Sequence, residues 1–339
     1  MSGGLVALSG MQRGIETTSG TAVAATAIQP ILGGWLHEIV ERQFPEEQRY
    51  SLIAAYRNFA VKNFVELQGI TIAPTFTDLA WWGSLFWKGL ATGSPRKPAG
   101  SGPTNTSVYT YTHTPTIASD DLNTATLEVG DDVQNFQVPF VLGDNIALTW
   151  APNAGLTCSM DLLGQRAIPQ SKTAALSVVG DEDINGALAT ITVDTSTIGS
   201  TSLNTLIEAN VRWANAWSHE FVLDGNLYPR GAHRSRVKQV MIDATFLFSS
   251  STEYTSIYEN SGIGTPRKIR ISNAGTTIAS SSPSTARNLQ VDVYCVWQDA
   301  QFDTINGQRA CKFSGMAQYD SSATHDQQVV IRNALATIS

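Results

Sequence analysis

The chain has 339 residues, with 22 Lys and Arg against 29 Asp and Glu for a net charge of −7. At about 100–200 residues per domain that length holds one large domain or two, and 42% hydrophobic residues with 8 Trp, 9 Tyr and 12 Phe exclude a disordered chain. Few charges, with Ser and Thr supplying about a fifth of the residues, favour strands over long surface helices, and the acidic balance argues against a protein whose main task is to grip nucleic-acid phosphates.

In chain order, Met1–Gly10 offers an apolar run of about four residues and no basic start, so it reads as neither signal peptide nor anchor. Thr75-Phe-Thr-Asp78 fits a helix capping pattern, followed at helical spacing by Leu79, Trp82, Leu85 or Phe86 and Leu90, with Gly89 or Gly93 as the stop. The Pro- and Gly-rich stretch 95–106 reads as a loop, and its Asn105-Thr106-Ser107 sequon carries no weight without a secretion signal. Phe136, Val138, Phe140 and Leu142 alternate with Asn135, Gln137 and Pro139. Gly143-Asp144-Asn145 reads as a hairpin-type turn, and Ile146, Leu148 and Trp150 resume the alternation. After the loop 151–155, Leu156, Cys158, Met160 and Leu162 share a face, so 124–163 is expected to be an antiparallel meander with one buried face.

The second half repeats the order. Val240, Ile242, Ala244, Phe246 and Phe248 alternate in a strand, Ser251–Tyr258 is a short helix candidate, and strands follow near 266–273, 287–298 and 310–319. Leu289, Val291, Val293, Cys295 and Trp297 share one face of the middle one. Strand, helix and further strands thus occur around 60–163 and again around 236–320, the pattern expected of two similar β-domains. Between them 170–205, rich in Ala, Gly, Ser and Thr with Asp181-Glu-Asp183, reads as a junction or surface loop.

Chemistry-bearing patterns are sparse. Cys158, Cys295 and Cys311 match no metal or redox spacing, which points to reduced thiols and assembly in a cytoplasm, and His37, His113, His219, His233 and His325 never pair at ligand spacing. Phosphate-loop, dinucleotide, nucleophile-elbow and His-Glu-x-x-His signatures are absent, so no catalytic, cofactor-binding or metal-ligating residue is assigned. Asp120, Asp121, Glu128, Asp131, Asp132 and Asp144 could be drawn as a calcium site or a carboxylate pair, but acids at strand ends are usually solvated. His233-Arg-Ser-Arg-Val-Lys238 with Arg267, Lys268 and Arg270 reads as a solvated face or one side of a charged subunit contact, rather than as a phosphate site. Trp81, Trp82, Phe86 and Trp87 read mostly as core, with Trp81 or Trp87 left over for a partner.

The run Gln12-Arg-Gly-Ile-Glu-Thr-Thr-Ser-Gly-Thr-Ala-Val-Ala-Ala-Thr26 resembles the opening of tail tube proteins of long-tailed bacteriophages, with Glu16 to Ala24 carrying the motif. Gly69–Pro74 leading into the Trp-rich helix, Tyr111–Pro115 followed by Thr126–Gly130, and Leu162–Arg166 resemble later pieces of that family. Most of 10–170 matches in pattern, and 171–339 chiefly in strand-rich character. The resemblance implies mainly β domains, antiparallel β-sandwiches each flanked by a short helix, laid out as an N-terminal arm 1–34, tube-like domains 35–170 and 206–339, and the junction 171–205. It implies a structural virion protein, without cofactor or membrane insertion. Its rings would stack into a hollow tail tube, meeting tape-measure, terminator and distal tail proteins. Double-stranded DNA would pass through an acidic lumen without specific binding. Two domains per chain would make a six-fold wall from three chains, with the hexamer as the alternative. The arm is expected to order on stacking, so that removing residues 1–20 would block elongation. The competing readings are a carbohydrate-binding or decoration β-sandwich and a β-rich hydrolase using Asp131, Asp132 and Asp144.

Overall fold

The computed structural model describes residues 9–46, 55, 57–87, 108–115, 122–257, 264–278, 285–336 and 338. The first half carries β1 (Gly10–Ile15), β2 (Ala27–Gln29), β3 (Gly33–Gln43), β4 (Phe59–Ile72), α1 (Phe76–Phe86), β5 (Tyr109–His113), β6 (Ala125–Gly130), β7 (Asn135–Trp150), β8 (Thr157–Gly164) and β9 (Ile168–Pro169). The second carries β10 (Thr190–Asp194), β11 (Leu206–Ala214), β12 (Trp217–Glu220), β13 (Gly231–Arg234), β14 (Gln239–Leu247), α2 (Thr252–Thr255), β15 (Arg267–Thr277), β16 (Ala286–Ile305), β17 (Gln308–Ala317) and β18 (Gln327–Asn333). Sixteen strands join one antiparallel network, and β12 with β13 forms a separate two-stranded flap. The fold is mainly β, as expected.

Pairing in the two halves runs in the same order. In the first it is β3-β4-β8-β7-β6-β1, and in the second β11-β14-β17-β16-β15-β10, all antiparallel. Each six-strand set is also built in the same chain order, with a helix after its third strand, α1 after β4 and α2 after β14. The sets meet inside the chain where β7 pairs with β11, Leu148 facing Val211. One apolar core runs beneath both, from Trp81, Trp82 and Trp150 to Val291, Cys311 and Phe313.

α1 begins where the sequence placed it. The Thr75 hydroxyl accepts the Asp78 N–H and the Asp78 carboxylate accepts the Thr75 N–H, a complete capping box. The helix closes at Phe86, where the Trp87 N–H still reaches the Gly83 carbonyl; Gly89, Leu90, Gly93 and the loop 95–106 lie outside the described residues. The second helix candidate, Ser251–Tyr258, forms a single turn, and Tyr258 lies outside the described residues.

Gly143-Asp144-Asn145 is not a turn. β7 runs through it as a 16-residue strand with a bulge opposite Leu162 and Asp161. The turn-forming residues are used differently. A Cβ on Gly143 would overlap the Phe86 ring, so glycine lets α1 pack onto the strand. Asp144 accepts the Asn215 N–H on its carbonyl at 2.8 Å and the Trp217 N–H on its carboxylate at 2.9 Å, tying down the end of β11. Tertiary contacts override local turn propensity here.

Within the segment read as an arm, Gly10–Ile15 pairs with β6 and β2, with Met11 and Arg13 buried. Deleting residues 1–20 would therefore remove a core strand as well as any arm. Within 171–205, β10 pairs with β15, and Asp181 accepts from the Thr77 hydroxyl at 2.6 Å and from Arg287 Nε at 2.6 Å, fastening this stretch to α1 and β16.

Candidate assembly surfaces

The motif that carries the resemblance is a folding hub. The Glu16 carboxylate accepts the Gly20 N–H at 2.7 Å, the Thr124 hydroxyl at 2.7 Å, the Thr126 hydroxyl at 2.9 Å and the Phe140 N–H at 2.8 Å. Gly20 takes φ +79°, open to glycine, and Phe140 takes φ +55°, which costs a bulky residue energy that the bond to Glu16 helps to offset. Beside it the buried Arg13 donates to Asp78 at 2.6 Å and to the Gln29 amide oxygen, which also receives Trp82 Nε1. Strand β1 is thereby locked to the N-terminus of α1. In the second strand set Asp194, ending β10 as Glu16 follows β1, accepts the N–H groups of Gly199, Ser200 and Thr201. Glu253 of α2 accepts from both Arg267 and Trp297. The motif is written locally, but its partners Thr124, Thr126 and Phe140 lie more than a hundred residues away.

Trp81, Trp82, Phe86 and Trp87 are all buried, so neither Trp81 nor Trp87 is left for a partner. Trp81 stacks edge-on against Trp82 and under Arg13, and Trp87 lies against His113 and Trp213. Of the acidic residues, Asp131 caps an exposed turn and Asp132 is exposed. Glu128 is not solvated: it is buried and accepts the Thr173 N–H at 2.6 Å. Burial pulls Asp144 upward, the Trp217 N–H draws it back, and Asp161 and Glu66 add to the rise. Asp120 and Asp121 lie outside the described residues. Among the described residues no three His, Cys, Asp or Glu side chains gather as metal ligands.

The basic run does not form one face. Lys238 pairs with Asp326, Arg267 with Glu253, Lys268 with Asp320 and Arg270 with Asp292, and Arg234 lies over the Trp217 ring. His219 is wedged between Phe64 and Phe221, with its Nε2 3.1 Å from the Gly164 carbonyl. Cys158, Cys295 and Cys311 are buried free thiols, and burial pushes all three up.

What the chain presents outward is apolar side chains and unused strand edges. β3 pairs with β4 alone, and residues 296–305 of β16 pair with β17 alone, so each leaves one long edge without a strand among the described residues. Trp35, at 73% exposure, stands on the first and Phe302 on the second. The register also separates the two ends of the sheet. Ala214, Asn145 and Asp161 align at the end toward which β3 and β4 project, where the flap joins through the Asn63 N–H to the Leu227 carbonyl. That end exposes Phe44, Phe59, Val61 and Leu223. Leu206, Leu247 and the β16–β17 turn align at the other. There α2 has four residues against eleven in α1, and a cleft of about 410 Å³ remains beside it, lined by Phe246, Phe248, Phe313 and Arg267 among others.

Free edges and two unlike apolar ends define a structural β-protein made to associate with other chains. The family model described as phage tail tube protein matches residues 7–308, and the chain belongs to that family. It is a structural component of a bacteriophage tail. Comparison with curated proteins finds no match.

Proposed function

We propose that this protein closes into rings of three copies that stack head to tail into the hollow tail tube, the conduit for the genome during ejection. The observation that carries the reading is the doubled strand order in a chain of the tube family. A long edge without a strand among the described residues, β3 on the first set and the outer half of β16 on the second, is what a closed ring of heterologous contacts requires, and two unlike ends are what a stack requires. The two units correspond to 35–170 and 206–339, with β1 and β10 added from the segments 1–34 and 171–205. The tube wall acts by shape and charge: the acidic excess of the chain lines the lumen and repels phosphate, so DNA slides without being held. Assembly in the host cytoplasm suits three reduced, buried cysteines. Tape-measure, terminator and distal tail proteins close the two tube ends.

Negative-stain electron microscopy of the purified protein tests the reading. Hollow rods whose end-on averages carry three-fold symmetry are expected. Small particles at every concentration would overturn it in favour of a binding module.

A further inference from the structure

We infer that the ring closes by antiparallel pairing of β3 of one copy with the outer half of β16 of the next, Leu36 opposite Phe302. The inference rests on the ring reading above and specifies its contact. The two strand sets can be aligned residue by residue through their bulges. On β7 the bulge between Gly143 and Asn145 faces Leu162 and Asp161, and on β16 the bulge between Trp297 and Asp299 faces Gly315 and Ser314. Asn145 therefore corresponds to Asp299 and, three residues on, Leu148 corresponds to Phe302. From the same anchor Leu162 corresponds to Gly315, and Cys158 falls on Cys311, both buried thiols. Leu162 faces Leu67 and Gly315 faces Ile242. Leu67 in turn faces Leu36, and Ile242 faces Val211, so Leu36 corresponds to Val211.

Inside the chain, Val211 of the second set faces Leu148 of the first, and both are fully buried. The corresponding positions at the chain's outer limits are Leu36, on the free edge of β3, and Phe302, 42% exposed on the free edge of β16. Repeating the internal junction between copies places Leu36 against Phe302, His37 against Gln301 and Trp35 against Asp303. It covers the exposed Phe302 ring and satisfies backbone N–H and C=O groups that a free edge leaves to water. Because the contact within a chain and the contact between chains are then the same, they alternate around the ring, and three chains supply six equivalent junctions.

Directly opposed residues in an antiparallel pair have Cα atoms about 4.5–5.5 Å apart, within the roughly 4.4–6.8 Å a disulfide spans. His37 and Gln301 are both exposed, so a chain carrying His37→Cys and Gln301→Cys keeps its fold, and the native thiols are buried out of reach. After mild oxidation of assembled rods, non-reducing gels should shift the band from one chain of 36.5 kDa to linked chains ending at three. The pair His37→Cys with Ile305→Cys, displaced by four residues or about 13 Å along the strand, should stay unlinked. Rods that give no linked chains with the first pair, or equal linkage with the displaced pair, overturn the inference while leaving the tube reading intact. Wild-type protein that forms neither rings nor rods removes the tube reading and this inference with it.

Discussion

Arg13 and Asp78 sit at 1% and 4% side-chain exposure, so each charge depends on the other. Removing one partner strands a buried charge, which typically costs about 3–5 kcal/mol. Asp78→Asn should lower the urea unfolding free energy by that order, and an unchanged midpoint would deny the pair its structural role. Titrating residues add a pH dependence. Burial pulls Asp320 upward, but the Ser322 hydroxyl, the Ala323 N–H and Lys268 outweigh it and hold the carboxyl at about 2. Its contribution is therefore complete above the ordinary Asp value near ~3.9 and is lost as the pH falls through about 2. Asp320→Asn should lower Tm at neutral pH, by a margin that shrinks steadily from about pH 4 downward. Desolvation lowers His219 and His325, so folding favours their neutral forms. Stability should fall as the pH drops below the unfolded value near ~6.5, because the unfolded chain then binds protons that the folded one refuses. Melting curves between pH 7.5 and 5.5 would reveal this, and a flat Tm would contradict it.

At the scale of elements, β7 and α1 depend on one another. The helix is buried along its whole length, so it can form only against a strand surface with a gap in it, and Gly143 supplies the gap. Gly143→Ala would push a methyl group into the Phe86 ring. Overpacking of this kind costs about 1–3 kcal/mol. Phe86→Leu in the same chain should recover part of the loss, so a double-mutant cycle by thermal unfolding would show coupling between the two positions. Strict additivity would mean that strand and helix do not meet there in solution.

For the whole molecule, repetition matters more than size. A six-strand order used twice leaves a long edge on β3 and another on the outer half of β16 without a strand among the described residues, and in the proposed ring the internal junction between β7 and β11 is the template for the external one. In that proposal a chain of two units makes the six junctions of the ring from three copies rather than six. The cross-linking ladder reads that number directly: ending at three chains agrees with the proposal, and ending at six keeps the pairing but refutes the count.

The sequence by itself determined the strand-rich class, the cap of α1, the buried faces of β8, β14 and β16 and the family motif around Glu16. These rest on period, capping chemistry and a local run of residues, all of which are written within a few positions of one another. Only the tertiary structure decided that Gly143–Asn145 is a bulge, that Trp81 and Trp87 are core, that Glu128 is buried and that Lys238, Arg267, Lys268 and Arg270 find acids within their own chain. Each of those outcomes depends on a partner far away in sequence, such as Phe86 for Gly143 or Thr173 for Glu128. The free edges of β3 and β16 were equally hidden, because an edge is defined by the strand that does not pair with it, and no local pattern records that.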